Sequence, residues 1–73
     1  MHFPSREEIL TVRAKYPAGT RIRLISMEDP YAPIKPGTCG TIMSVDDLGD
    51  LIMKWDNGRM LAIVPEEDEF QVI

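Results

Sequence analysis

The tripeptide Asp56-Asn57-Gly58 restricts the fold of this chain more than any other feature of its sequence. Asn-Gly readily adopts the positive φ angles of a tight hairpin turn. The apolar-rich runs on either side, 50–55 and 59–64, are therefore predicted to be neighbouring antiparallel strands. Further strands, bounded by prolines, glycines and aspartates, are predicted over 20–27, 39–45 and 70–73.

A single short helix is predicted ahead of the strands, over 5–16. Ser5 is a suitable N-cap, and Glu8 three residues later completes a capping box. Pro17 ends the helix, because a residue that precedes proline avoids helical geometry. An apolar stripe with three- and four-residue spacing is formed by Ile9, Val12 and Tyr16. Because so short a helix is marginal by itself, this stripe is expected to dock on the sheet.

The order of these elements is the layout of a small five-stranded SH3-like barrel, predicted over 20–73 and preceded by the helix. The fold class is thus mainly β, and closing short strands into a barrel removes exposed sheet edges. The barrel interior is expected to hold Ile22, Leu24, Ile42, Leu51, Met53, Leu61, Ile63 and Val72. Other apolar residues on the strands need a cover, for which the helix stripe is the first candidate and a homodimer interface the second.

With 73 residues, the chain is expected to be a single domain over 1–73, which excludes two-domain enzymes and dinucleotide-binding sheets. No apolar run approaches the length of a membrane span, and the N-terminus does not resemble a secretory signal. The single cysteine, Cys39, excludes an intrachain disulfide and a cysteine-based metal cluster. A cytoplasmic location is therefore expected, with no membrane partner.

Charge is divided unequally along the chain, whose formal net charge is −4. Residues 1–36 carry six basic and four acidic side chains, whereas residues 37–73 carry two basic and eight acidic ones. Clustered Lys and Arg drive binding to phosphates, so the acidic half argues against broad nucleic-acid binding. An ordinary solvated surface, which keeps a small protein soluble, is the simpler interpretation of the same pattern.

Two stretches of sequence resemble known families. The stretch YPAGTRIRLISMEDPYAPIKPGTCGTIMSV, with a glycine, a basic-apolar strand, a proline-rich loop and then Gly-x-x-Gly-Thr-Ile, resembles the KOW segment of ribosomal and transcription-elongation proteins. Nearly the whole chain, through YPAGTRIRLISMEDPYAP, PGTCGTI, VDDLG and WDNGRMLAIVPEEDEF, resembles domain of unknown function family 4314. That resemblance implies a small stand-alone intracellular domain carried by bacteria, phages and other mobile elements. It implies no catalytic residue.

Catalysis is not expected from the residues themselves. His2 is the single histidine and stands at the chain terminus, where nothing fixes its orientation for acid–base work. Cys39 has no activating cluster nearby, so it is expected to be a small structural residue rather than a nucleophile. The aspartates over 46–56 lack the spacing of a calcium loop and are interpreted as turn formers. Neither a metal site nor a cofactor is predicted.

The proline-rich loop over 28–37 is the first candidate binding element. Tyr31 offers an aromatic anchor with a polar handle, while Pro33 stiffens the loop and Lys35 adds a charge. The alternative is that Tyr31 packs back on the barrel and the loop only closes it. Trp55 is also a candidate, although it ends its strand, whereas SH3 domains place their ligand-gripping tryptophan at the start. This departure favours a partly buried lid residue over recognition of proline-rich peptides.

Two charged groups complete the candidates. Arg21 and Arg23 share one face of the first strand, where with Lys35 they could grip a phosphate or an acidic surface. The alternative is a solvated strand face. An acidic face is expected where 46–50 meets a run of four carboxylates, Glu66, Glu67, Asp68 and Glu69.

Three functions follow from these patterns. The first is a non-enzymatic binding module of a phage or mobile element, which engages a host protein through the loop and the acidic face. Such a module could inhibit a host defence or nucleic-acid-processing complex by mimicking phosphates. The second is a barrel that binds nucleic acid or a small nucleotide through the basic residues. The third is a structural domain that only self-associates.

Overall fold

The structure is a computed structural model that describes residues 4–73, so His2 lies outside the described residues. The described part is mainly β, as predicted, with one short helix and one antiparallel sheet. The elements are α1 (Arg6–Lys15), β1 (Arg21–Ser26), β2 (Cys39–Val45), β3 (Leu51–Trp55) and β4 (Glu69–Val72). The strands lie in the order β3-β2-β1-β4, so the two central strands are the first two in the chain.

The predicted strand over 59–64 does not form, so residues 4–73 contain a sheet of four strands rather than five. This segment does return alongside β3, but its backbone pairs with that strand only at an isolated bridge between Leu51 and Ile63 and through one hydrogen bond from the N–H of Trp55 to the carbonyl of Arg59, 2.9 Å long. Between the bridge and the turn, the carbonyl of Leu61 accepts a hydrogen bond from Trp55 Nε1 at 2.7 Å. The indole thus takes an acceptor that a regular strand would offer to a neighbouring backbone. The sheet is not closed into a barrel.

The core lacks two of the predicted residues and contains three that were not predicted. Leu61 is only half-buried against the core and Val72 is 56% exposed, whereas three residues outside the predicted interior are buried. One is Ile34, at the base of the proline-rich loop. The buried apolar set is Ile22, Leu24, Ile34, Ile42, Val45, Leu51, Met53, Trp55 and Ile63.

A β-bulge explains the burial of Val45. The pairing of β2 with β3 shifts by one residue between Ile42 and Ser44, which leaves Met43 as the extra residue. A bulge reverses the inward–outward alternation beyond it. Val45 therefore faces the core like Ile42, three residues earlier, and Met43 is exposed.

The helix covers part of the core, as its apolar stripe predicted. Ser5 caps α1, and its hydroxyl accepts from the backbone N–H of Glu8 at 3.1 Å. Val12 and Tyr16 pack against the core cluster. The ring of Tyr16 lies 5.3 Å from that of Phe70, centroid to centroid, so the end of α1 reaches β4.

Candidate functional site

A cleft of about 420 Å³ opens between the start of α1 and two turns of the sheet. Its apolar walls come from three separate parts of the chain, and carboxylates stand around its rim. We call it the acidic cleft. It is lined by Pro4, Glu8, Val12, Leu48, Gly49, Asp50, Val64, Pro65, Glu66 and Glu67.

Arg13 holds α1 against the end of β2, which gives the cleft its first wall. Its Nε and Nη2 donate to the carbonyl of Val45 at 3.2 and 3.1 Å, and Nη2 lies 3.4 Å from the Asp47 carboxylate. The start of α1 also lies beside the β2–β3 turn, since Pro4 and Glu8 line the cleft together with Leu48 and Gly49. A Cβ built on Gly49 would lie only 3.6 Å from the Pro4 ring.

The β2–β3 turn supplies the second wall and one rim carboxylate. The Oδ1 atom of Asp46 accepts from the backbone N–H groups of Leu48 and Asp50, both at 2.9 Å. Gly49 completes the turn with a φ of 82°, which suits glycine. The carboxylate of Asp46 therefore stabilises the turn through these hydrogen bonds, as the aspartate pattern predicted, whereas Asp50 lines the cleft.

Asp50 sits in a strongly anionic environment. Partial burial raises the pKa of its carboxyl above the ordinary aspartate value, and the nearby carboxylates of Asp46, Glu67 and Asp68 raise this pKa further. Within residues 4–73, no hydrogen bond or ion pair reaches this side chain. A cation in the cleft would therefore find a carboxylate that no described side chain neutralises.

The turn over 64–68 forms the third wall and separates the four predicted carboxylates into two groups. Glu66, Glu67 and Glu69 are exposed, whereas Asp68 is only 8% exposed. The carboxylate of Asp68 accepts from the backbone N–H groups of Glu28 and Val64, each at 2.9 Å. It fastens the end of the turn to the segment after β1, so its role is structural and it is not a free surface charge.

A second depression, of about 310 Å³, lies on the other side of the same turn. We call it the loop groove because Met27 and residues 28–30, the start of the proline-rich loop, form one of its sides. Leu61, Ala62 and Val64 form its apolar side. The acidic cleft and the loop groove share Val64 and Glu67 as lining residues, so they adjoin across the turn.

The proline-rich loop is held in a defined shape with its aromatic tip outward. Tyr31 is 93% exposed, so it does not pack back on the sheet. The Asp29 carboxylate accepts from the backbone N–H groups of Tyr31 and Ala32 at 2.7 and 3.2 Å. Arg59 donates to the carbonyls of Ala32 at 2.6 Å and Pro33 at 3.2 Å, and Ile34 anchors the loop in the core.

The three basic residues predicted to bind a phosphate together are in different situations, because Arg21 is paired with a carboxylate and Arg23 and Lys35 are exposed. Arg21 makes two hydrogen bonds of 2.7 Å to the carboxylate of Asp56 and a third, of 3.0 Å, to Thr41. The hydrogen bond to Asp56 raises the pKa of Arg21, and the same contact lowers the pKa of Asp56. Arg23 and Lys35 are exposed. A phosphate at Arg21 would have to compete with Asp56.

Trp55 is buried, with 1% of its surface exposed, so it offers no contact surface to a partner. Its ring packs across β2 over Gly40, where a Cβ would lie 2.8 Å from the indole. This is a deeper position than the partly buried lid predicted from the sequence.

A profile of the protein family described as Domain of unknown function (DUF4314) matches residues 5–73. The chain belongs to this family. Searches of curated proteins and of solved structures found no match. The range that matches the DUF4314 profile thus includes α1, the whole sheet and every residue that lines the acidic cleft except Pro4. The described part of this DUF4314 chain has no helix long and apolar enough to cross a membrane.

The acidic face predicted from 46–50 and 66–69 forms in part, since Asp50, Glu66 and Glu67 come to one cleft. The apolar walls of that cleft, which come from Pro4, Val12, Leu48, Val64 and Pro65, were not predicted. No local pattern unites these residues, because the docking of α1 brings them together. The one signal in the sequence is a leucine, Leu48, beside a glycine in an otherwise polar turn, and the structure leaves it exposed.

Proposed function

We propose that this protein is a non-enzymatic binding module that engages a basic surface of a partner protein. The observation that carries the proposal is the acidic cleft, which combines apolar walls with a rim of carboxylates. Apolar walls give binding energy by removing surface from water, and rim charges select a partner of opposite sign. The exposed Tyr31 on its fixed loop supplies a second anchor, and it directly follows Pro30, which lines the loop groove next to the cleft.

The partner proposed is a host protein, with the module of phage or mobile-element type. The resemblance to a family carried by bacteria, phages and other mobile elements supports this source. A surface that presents Glu66, Glu67 and Glu69 in the open can occupy a site made for phosphates. Inhibition of a host defence or nucleic-acid-processing complex is the activity that this charge pattern supports.

We further propose that the architecture is an open relative of an SH3-like barrel. The order β3-β2-β1-β4, extended by the segment bridged at Leu51 and Ile63, supports this. The segment over 59–64 lies beside β3, as the Asn-Gly turn predicted, although only four segments form regular strands.

Nucleic-acid or nucleotide binding is the second candidate. Arg23 on β1 and Lys54 on β3 favour it, because both are exposed and both strands pair with β2. It ranks second because Arg21, the other arginine on this face of β1, is bound by Asp56.

Capture of partners from a bacterial lysate with the tagged protein tests the proposal, with native mass spectrometry of what elutes. Glu66→Lys reverses a charge on the cleft rim, and Glu7→Lys makes the same change on α1 outside the cleft lining. We expect a specific protein that is retained by Glu7→Lys, lost by Glu66→Lys and weakened by Tyr31→Ala. Equal recovery by all variants contradicts the proposal, and a bound nucleotide or RNA would favour the second candidate.

A further inference from the structure

Resting on the proposed function, we propose that the acidic cleft receives one arginine or lysine side chain from an extended segment of the partner protein, and that the apolar neighbour of this side chain lies in the loop groove. The shape and charge of the two depressions define the chemistry of this occupant.

The cleft fits a side chain that is apolar along its stem and cationic at its head. Val12, Leu48 and Val64 provide contacts for methylene groups, and carboxylates stand at the rim. Lys and Arg bury such stems on apolar surface while the charge stays with polar groups. An anionic ligand would meet charges of its own sign. A purely apolar ligand would further desolvate Asp50 with no cation beside it, which is unfavourable.

Asp50 distinguishes this cleft from an ordinary acidic surface. Its carboxylate is half-buried among other anions, and no described side chain neutralises it. Such a carboxylate opposes folding in its ionised form, whereas a bound guanidinium or ammonium group would stabilise it. The described residues contain no group of three acidic, histidine or cysteine side chains that could hold a metal ion, so an organic cation is the occupant we infer.

The occupant belongs to an extended segment because the site continues past the cleft. Val64 and Glu67 line both depressions, and beyond them the groove offers Leu61 and Met27. An isolated amine would leave this apolar path uncovered. A segment with an apolar residue next to its arginine or lysine would cover both parts.

NMR titration of the ¹⁵N-labelled protein with n-butylguanidinium tests the cationic part. We expect saturable shifts at the amides of Gly49, Asp50 and Glu67. Asp50→Asn should raise the dissociation constant at least about fivefold, equivalent to about 1 kcal/mol. Glu69→Gln is the control, since it removes one carboxylate charge from an exposed residue outside the cleft lining, and it should change the constant less than about twofold. The neutral isostere n-butylurea should not saturate.

Absence of binding, equal affinity for butylurea, or an Asp50→Asn variant that binds like the unaltered protein would each overturn the inference. An acetylated and amidated Leu-Arg-Leu peptide tests the extended part, and it should also shift the amides of Leu61 and Ala62. Peptide shifts confined to the cleft would overturn that part. The proposed function is judged separately, by the Glu66→Lys and Glu7→Lys capture, so it can survive when the side-chain inference fails.

Discussion

Gly40 shows how closely single residues fit in this sheet. It faces Trp55 across the β2–β3 pair, and a Cβ there would lie 2.8 Å from the indole, 3.0 Å from Met53 Cε and 3.2 Å from the Lys54 carbonyl. Rotation of the indole away from this Cβ would break the hydrogen bond between its Nε1 and the carbonyl of Leu61. We expect Gly40→Ala to lower the free energy of unfolding by about 1–3 kcal/mol, measured by urea denaturation. An unchanged midpoint would contradict this packing.

Asp68 is the residue where a charge from the predicted acidic face proves structural. Asp68→Ala would leave two backbone N–H groups, of Glu28 and Val64, without their acceptor, at a cost of about 2–4 kcal/mol of stability. Glu69→Ala is the neighbouring control, because Glu69 is exposed and should change stability by less than about 0.5 kcal/mol. Equal effects of the two changes in thermal or urea unfolding would refute the distinction.

Among the elements, the proline-rich loop depends on Arg59, which follows the Asn57-Gly58 turn. Arg59 donates to two loop carbonyls, and Arg59→Ala should therefore loosen the loop without unfolding the sheet. Hydrogen exchange is the measurement: the amides of Tyr31 and Ala32 should exchange faster, while those of β2 keep their protection. Lys54→Ala, an exposed change on β3, is the control. Uniform loss of protection would show that Arg59 supports the whole fold instead.

Most elements were predictable because their signals are local. The capping box at Ser5, the Asn-Gly turn and the alternation in β1 each act within a few residues, and the observed bounds of the elements that form differ from the predicted ones by at most one residue. The segment over 59–64 does not form a strand because a side-chain contact, the indole of Trp55 on the carbonyl of Leu61, competes with strand pairing, and no backbone pattern announces it. The bulge at Met43 likewise reverses an alternation that the sequence alone suggests is regular. The acidic cleft depends on tertiary docking, so only its charges were predictable.

At the scale of the whole molecule, two aspartates give opposite contributions to the dependence of stability on pH. The raised pKa of Asp50 means that the folded state holds its proton more tightly than the unfolded state. Stability is therefore lost as pH rises from about 3.9 through that raised value. The lowered pKa of Asp56, due to its hydrogen bond with Arg21, gives stability that is present above about pH 3.9 and lost as pH falls through the lowered value.

Thermal unfolding between pH 3 and pH 7 separates these contributions. Asp50→Asn should raise the melting temperature at pH 7 and leave it nearly unchanged at pH 3, where the carboxyl of the unaltered protein is protonated. Asp56→Asn should lower the melting temperature at pH 7, by less in high salt, because the Arg21–Asp56 pair is exposed to screening. A destabilised Asp50→Asn variant at pH 7 would show that this carboxylate supports the fold.

The walls of the acidic cleft come from the start of α1, the β2–β3 turn and the turn before β4. Unfolding scatters these three segments, so the site exists only while the chain is folded. Any occupant therefore binds only the folded state and stabilises it. It must raise the melting temperature in proportion to the logarithm of its concentration once it is in excess. Thermal-shift screening of cationic compounds and peptides can thus define the chemistry of the partner before the partner itself is isolated, and the Asp50→Asn variant tells which hits act through the cleft.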